Sequence, residues 1–265
     1  EGATYSVTGS QTYVGSSANA FTYQMNEGTK DSNYSITKVE GTLTVTPIEA
    51  VIVVAAASDS KYYDATPLAN SGYFYTDGVL APGDTLTASV SGSITDAGYT
   101  SNVVTSYKVM RGEADVTSNY TFGPSQNGTL EVMRRPVTLV SSSASKIYDG
   151  RPLTSANVIV VGPDGEGEIQ SESYEGTMLP ASARNSMGFV DGQGISFHVT
   201  GSQVDVGSSG NTYDYTVVDG TDMANYDITE VQGTLTVTRN ERPITITAAS
   251  DEKVYDGRPL ANAGY

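Results

Sequence analysis

The sequence contains no cysteine and no tryptophan, and its single histidine is His198. Without thiols the chain can form neither a disulfide nor a thiolate metal site. Basic residues are also scarce: six Lys and eight Arg, scattered, face 30 acidic residues and leave a net charge of −16. Nucleic acid and anionic membrane surfaces are therefore poor partners, because both are held by basic patches. No apolar run reaches membrane-spanning length, which argues against direct membrane insertion. The opening EGATYSV has neither the basic start nor the apolar stretch of a signal peptide. Sustained apolar spacing at three and four residues, the mark of an amphipathic helix, is missing too. Hydrophobic residues nevertheless make up 38% of the chain, too many for a disordered segment.

What the chain has is repetition. KYYDATPL at 61–68 returns as KIYDGRPL at 146–153 and KVYDGRPL at 253–260, and residues 1–73 lie on residues 193–265 at a constant offset of 192 without a gap. The phrases keep one order. Lys61, Lys146 and Lys253 open the KxYD phrase, with Tyr63-Asp64, Tyr148-Asp149-Gly150 and Tyr255-Asp256-Gly257 inside it. Asn33-Tyr34, Asn119-Tyr120 and Asn225-Tyr226 open a second phrase, and Gly41, Gly128 and Gly233 a third. This period divides the chain into the late part of a repeat (1–46), a complete short repeat (47–133), a complete long repeat (134–238) and the early part of another (239–265). The long repeat carries extra Gly-rich and acidic sequence at about 162–189, which reads as an elaborated loop.

GTLTVT (41–46 and 233–238) and GTLEVM (128–133) alternate apolar and polar residues, the signature of a half-buried strand. RPVTLV (135–140) and RPITIT (242–247) open the next unit in the same way. With β-branched residues set between Gly, Asn, Asp and Pro, the class is all-β, and about 85 residues suffice for six or seven short strands. The architecture this predicts is a row of small β-sandwich-like repeat domains, Ig-like or β-grasp-like, arranged end to end. In the KxYD phrase a strand ends in Asp-Gly, where glycine tolerates positive φ. Ala65 replaces that glycine in the first copy, so either the turn differs there or its strain is offset. Tyr63, Tyr148 and Tyr255 are expected to pack on the core with the hydroxyl on a backbone group. The KxYD lysines are expected to be exposed.

In their fixed order, KxYDGxPL, VTGSQxxVGSSxN, NYxIT and GTLTVT resemble the MBG/YDG-type repeats found in tandem in large bacterial cell-surface proteins. The resemblance covers essentially the whole chain. It implies an extracellular, bacterial surface-associated stalk or adhesin of small β domains, with no catalytic residues and no cofactor to carry over. Its partners would be neighbouring repeats of the same or another copy of the chain, or a host or cell-surface ligand. Departures are Ala65, the 162–189 insertion, and SGSITDAGYTSN (91–102), where the Ser-Ser of VGSS is lost.

An enzyme reading has little support. His198, in SFHVTG, matches Ser6 in the first repeat, and no nucleophile elbow, HExxH or phosphate loop occurs. A strand-face histidine is the expected role. Asp164, Glu166, Glu168, Glu172 and Glu175 crowd one segment, and the first three are weak candidates for a calcium site, but the spacing matches no EF-hand, so a solvated acidic loop is expected. NYS (33–35), NYT (119–121) and NGT (127–129) fit the glycosylation pattern, yet Asn33 and Asn119 are expected to cap local backbone. The function expected is a stalk or fibre stiffened by short connections, and the alternative is an adhesive module using the 162–189 loop for a glycan or protein. The two end pieces are complementary parts of one repeat, which suggests a cut portion of a longer array or a head-to-tail filament.

Overall fold

The computed structural model describes residues 2–163, 167–171 and 188–264. It is all-β, with short 3₁₀ turns as its helical content among the described residues. The chain divides into two compact units, Glu1–Arg135 with Asp222–Asp227, and Pro136–Thr221 with Ile228–Tyr265. The division at 135/136 falls beside the repeat boundary. Asp222–Asp227, by sequence part of the long repeat, belongs to the first unit.

In the first unit, residues 47–133 build two sheets. The chain enters as β5 (Ile48–Ala56), turns a corner at Ala57-Ser58 and leaves as β6 (Asp59–Tyr62). β5 lies between β7 (Tyr73–Asp77) and β11 (Tyr120–Phe122). The second sheet has the order β10 (Ala114–Asp115), β9 (Gly98–Arg111), β12 (Gly128–Met133), β6, with β8 (Thr85–Ser91) also on β9. The repeat thus contains eight strands, the last a long-range partner of the first: β11 runs parallel to β5, and β12 parallel to β6. Apolar residues of both sheets meet in one cluster, with Ile52, Val54 and Ala56 of β5 against Val104 and Val109 of β9, closed by Val116 and Tyr120. Fully burying side chains of this size stabilises by about 1.5–3 kcal/mol each.

The period-2 expectation holds where both neighbours of a strand are present. In GTLEVM, Leu130 and Val132 are buried and Thr129 and Glu131 exposed, and β13 (Arg135–Ser141) buries Val137 and Leu139 in the same way. Ahead of the complete repeat, residues 2–46 form two antiparallel ladders: β1 (Ala3–Val7) with β3 (Phe21–Met25), and β2 (Gly15–Asn19) with β4 (Gly41–Val45). β9 is the continuous version of β2 and β3, so losing the Ser-Ser leaves the local geometry intact. Gly98 keeps φ +147° where Gly15 has +137° and Gly207 +145°.

The second unit repeats the plan. β13 pairs β15 (Asn157–Val161) and neighbours β20 (Tyr226–Val231). β14 (Ala144–Ile147) runs parallel to β21 (Thr234–Thr238), which pairs antiparallel with β18 (Gly207–Gly210). β17 (Ile195–Val199) pairs β19 (Tyr213–Val217). The insertion differs from the loop expected: β16 (Gly167–Ser171) forms a hairpin with β15 and adds a strand to the sheet. RPITIT differs as well. Residues 239–263 contain no strand, and Ile244 and Ile246 are each 87% exposed, because a strand needs ladder partners and the two that flank β13 have no counterpart beside 242–247.

Candidate functional site

The KxYD phrase is a clamp. Lys61 Nζ donates to Asp64 Oδ1 at 2.7 Å and to the Thr66 carbonyl at 2.7 Å. Lys146 reaches Asp149 at 2.7 Å and the Arg151 carbonyl at 2.6 Å, and Lys253 reaches Asp256 at 2.6 Å. Each aspartate also accepts the backbone N–H two residues on, from Thr66, Arg151 and Arg258. The lysines are therefore tucked against their own turn rather than exposed, a correction to the expectation from sequence, because the ammonium satisfies carbonyls that the turn leaves without partners. Burial works against the charge on Asp64, but the bonds from Lys61 and Thr66 outweigh it and hold the carboxyl below its ordinary value. The Lys146 and Lys253 bonds do the same for Asp149 and Asp256.

Ala65 resolves the alternative left by the sequence: the turn does not change, and Ala65 takes φ +60° where Gly150 has +79° and Gly257 +77°. A non-glycine residue there costs about 1–2 kcal/mol, while glycine's extra freedom in the unfolded chain costs about 0.4–1 kcal/mol. Ala65→Gly is therefore expected to stabilise by about 0.5–1 kcal/mol. A denaturant midpoint that stays put or falls would contradict this account of the turn.

The tyrosines of the phrase do not share one role. Tyr63 is buried, but Tyr148 is 39% and Tyr255 92% exposed, so core packing applies to the first alone. What covers Tyr63 is Tyr226, edge-on, with ring centroids 5.6 Å apart and an interplanar angle of 80°. Tyr226 belongs to the Asn-Tyr phrase of the next repeat, and this contact lies within the first unit. A core tyrosine with its hydroxyl on backbone does occur, at Tyr213. Its hydroxyl donates to the Leu139 carbonyl at 3.0 Å, and burial pushes its pKa up to about 12.

The Asn-Tyr phrase is a joint between successive repeats. A single 3₁₀ turn precedes each copy: Asp31–Asn33, Thr117–Asn119 and Met223–Asn225. Asp115 accepts the Thr117 N–H and hydroxyl, which fixes the turn and places Asn119 at its end. Asn119 Oδ1 then accepts the Val14 backbone N–H at 2.8 Å, 105 residues earlier. One repeat on, Asn225 Oδ1 accepts the Ala97 N–H at 2.7 Å, and its Nδ2 donates to Asp96 at 3.1 Å. Val14 and Ala97 hold the same place, immediately before Gly15 and Gly98. The asparagines thus cap not their own turn, as expected, but the preceding repeat.

Tyr120, next to the first joint asparagine, ties the joint to the core. Its hydroxyl donates to Asp84 Oδ2 at 2.5 Å and accepts the Ala81 N–H at 2.9 Å. Asp84, only 2% exposed at its side chain, also takes Arg111 Nε at 2.5 Å. The Arg111 and Tyr120 bonds hold the Asp84 carboxyl below its ordinary value, and burial followed by the Asp84 bond pushes the Tyr120 hydroxyl up. The cleft here, lined by Val14, Ile48, Arg111 and Asn119 among others, holds about 140 Å³, below the few hundred Å³ of an ordinary small-molecule site.

Sequence reasoning named Asn119 and Asn225 but not their acceptors, and it missed a second asparagine altogether. Asn102 and Asn211, both fully buried, each donate twice from Nδ2: Asn102 to the Ala57 and Asn70 carbonyls, Asn211 to those of Ser142 and Ser155. The signal was present, since Asn19, Asn102 and Asn211 all stand four residues after Gly15, Gly98 and Gly207. Asp164, Glu166, Glu172 and Glu175 lie outside the described residues, and Glu168 falls on β16. Among the described residues no acidic or histidine cluster is placed to hold a metal, and no helix is long and apolar enough to cross a membrane. His198 lies on the exposed face of β17, opposite Asp214. No family model, curated protein or solved structure matches the chain.

Proposed function

We propose that the chain is a non-catalytic structural segment, a stalk or fibre of tandem β-sandwich-like repeats on a bacterial cell surface. One observation carries this reading: the amide of the Asn-Tyr phrase bonds the backbone of the preceding repeat at the same position twice, Asn119 at Val14 and Asn225 at Ala97. A bond that recurs at each boundary adds one locked joint for every repeat added, which is what a stalk requires. Short connections act in the same sense, since Thr46-Pro47 alone separates β4 from β5 and Arg134 alone separates β12 from β13. The absence of cysteine and the acidic surface suit an exposed location.

Small-angle scattering tests the reading. Successive repeats should not hinge freely, and Asn119→Ala combined with Asn225→Ala should broaden the distance distribution. A freely hinged ensemble from the unaltered chain would overturn the stalk. At the bond itself, Asn119→Ala should speed hydrogen exchange at the Val14 amide about tenfold, the equivalent of roughly 1–1.5 kcal/mol for one hydrogen bond, and leave Ala97 unchanged.

A further inference from the structure

We propose that residues 2–46 form a docking groove for a second copy of the chain, which inserts its segment Arg242–Ala249 as the missing first strand. The inference rests on the repeat reading above and adds a partner to it. The groove encloses about 580 Å³ and is lined by Ala3, Tyr5, Phe21, Tyr23, Tyr34 and Ile36 among others. In the complete repeat the matching positions are Leu86, Ala88, Val104, Tyr107, Tyr120 and Phe122, and they close over Ile52 and Val54 of β5. The registers agree, with Tyr5 opposite Tyr23 as Ala88 is opposite Tyr107. The groove is therefore the socket of a β5-type strand.

The chain carries that strand. At the offset of 192, Ile244 and Ile246 stand where Ile52 and Val54 stand, and each is 87% exposed. The tail already has the shape of the part it would replace. Ala249 N–H donates to the Gly264 carbonyl at 3.1 Å as Ala57 does to Gly72 at 2.9 Å, and Gly264 N–H reaches Asn262 Oδ1 at 2.8 Å as Gly72 reaches Asn70 at 2.7 Å. The Lys253–Asp256 clamp is closed. Little ordering remains for docking to supply, which favours association. Residues 239–265 carry four basic and four acidic side chains, so a tail of no net charge approaches a chain of −16 without repulsion.

The receiving end has the matching fittings. Asn19 and Gly41 occupy the places of Asn102 and Gly128, which in the complete repeat grip the β5–β6 corner at Ala57 and Asn70. Their counterparts on an incoming tail are Ala249 and Asn262. The same docking sets Asn33 of the receiving copy at Val206 of the donor, and Tyr34 at the donor's Tyr148, repeating the Asn119–Val14 and Tyr226–Tyr63 contacts. Val206 is 52% exposed and available for it. The contact is head to tail and does not close on itself, so it propagates.

Sedimentation of the full chain over a concentration series tests the proposal. The expected result is a mass that rises with concentration to at least double that of the monomer. Gly41→Ala, and separately Ile244→Asp with Ile246→Asp, should abolish the rise while leaving the circular dichroism of the monomer unchanged. Those positions are open in the single chain: a Cβ on Gly41 would meet only Asn19 Cβ, at 3.7 Å. A monomer at every concentration would overturn the proposal, as would oligomers indifferent to Gly41→Ala. Because the chain has no cysteine, mixing a Thr44→Cys chain with a Glu252→Cys chain reads the register directly. Oxidation should yield the mixed dimer, and failure to form it under conditions where the masses associate would overturn strand insertion. A monomer that retains slow exchange at Val14 leaves the stalk reading standing; fast exchange at Val14 in a chain that still associates removes the joint and keeps the docking.

Discussion

Gly128→Ala should destabilise the first unit by about 3 kcal/mol or more, a larger effect than most single-methyl additions produce. The backbone at Gly128 is not in a conformation reserved for glycine; the reason is a crossing. A Cβ there would stand 2.3 Å from the Ala57 carbonyl oxygen and 2.7 Å from that of Ala56. Neither is the tip of a flexible side chain. Both belong to the corner where β5 becomes β6, and moving them breaks the pairing of β12 with β6. Gly233 meets the Ser141 carbonyl at 2.3 Å, so Gly233→Ala should behave alike in the second unit. Gly41→Ala is the internal control. Its effect on the isolated chain should stay within about 0.5 kcal/mol, as for an ordinary exposed site. Equal losses at Gly41 and Gly128 in denaturant unfolding would refute the crossing as the cause.

Asn102→Ala should cost about 3 kcal/mol. The side chain is fully buried, and its Nδ2 donates at 2.8 Å to each of two carbonyls, Ala57 and Asn70. Removing it strands both acceptors away from water, at roughly 1–3 kcal/mol for each group left without a partner. Its Oδ1 is buried without a hydrogen bond and lies where a Cβ on Gly92 would come within 2.8 Å. The same arrangement at Asn211 and Gly201, where the distance would be 2.4 Å, explains why VTG and VSG keep their glycine. Asn102→Asp should be worse than alanine, since it aims a second acceptor at two carbonyl oxygens. A loss below about 1 kcal/mol for Asn102→Ala, read from the thermal or denaturant transition, would mean that water or a rearranged corner satisfies those carbonyls.

Much of the fold was legible because its strands are locally written. GTLEVM and RPVTLV alternate, and the structure buries alternate residues accordingly. Partner choice was not legible. Nothing near Asn119 in the chain indicates Val14, and nothing in KxYD says that the lysine folds back onto the turn instead of projecting into water. Periodicity reports which face of a strand is apolar, not what comes to cover it. The same limit explains 242–247, whose pattern is that of β13 but whose ladder partners are missing. It also explains Tyr148 and Tyr255, which share a motif with Tyr63 without sharing the Tyr226 ring that buries it. β16 was overlooked for a different reason: GEIQS is too short and too polar for a period to show.

The parallel pairing of first and last strands decides how a repeat meets tension. Pulled by its two ends, the 47–133 repeat is drawn backward at β5 and β6 and forward at β11 and β12, along the strands and not across them. The ladder bonds of β12 with β6, from Leu130 opposite Asp59 to Met133 opposite Tyr62, then share the load together in shear instead of parting one after another. The second unit offers the same resistance through β14 and β21. A chain of such repeats resists extension through its terminal strand pairs, with no covalent cross-link needed.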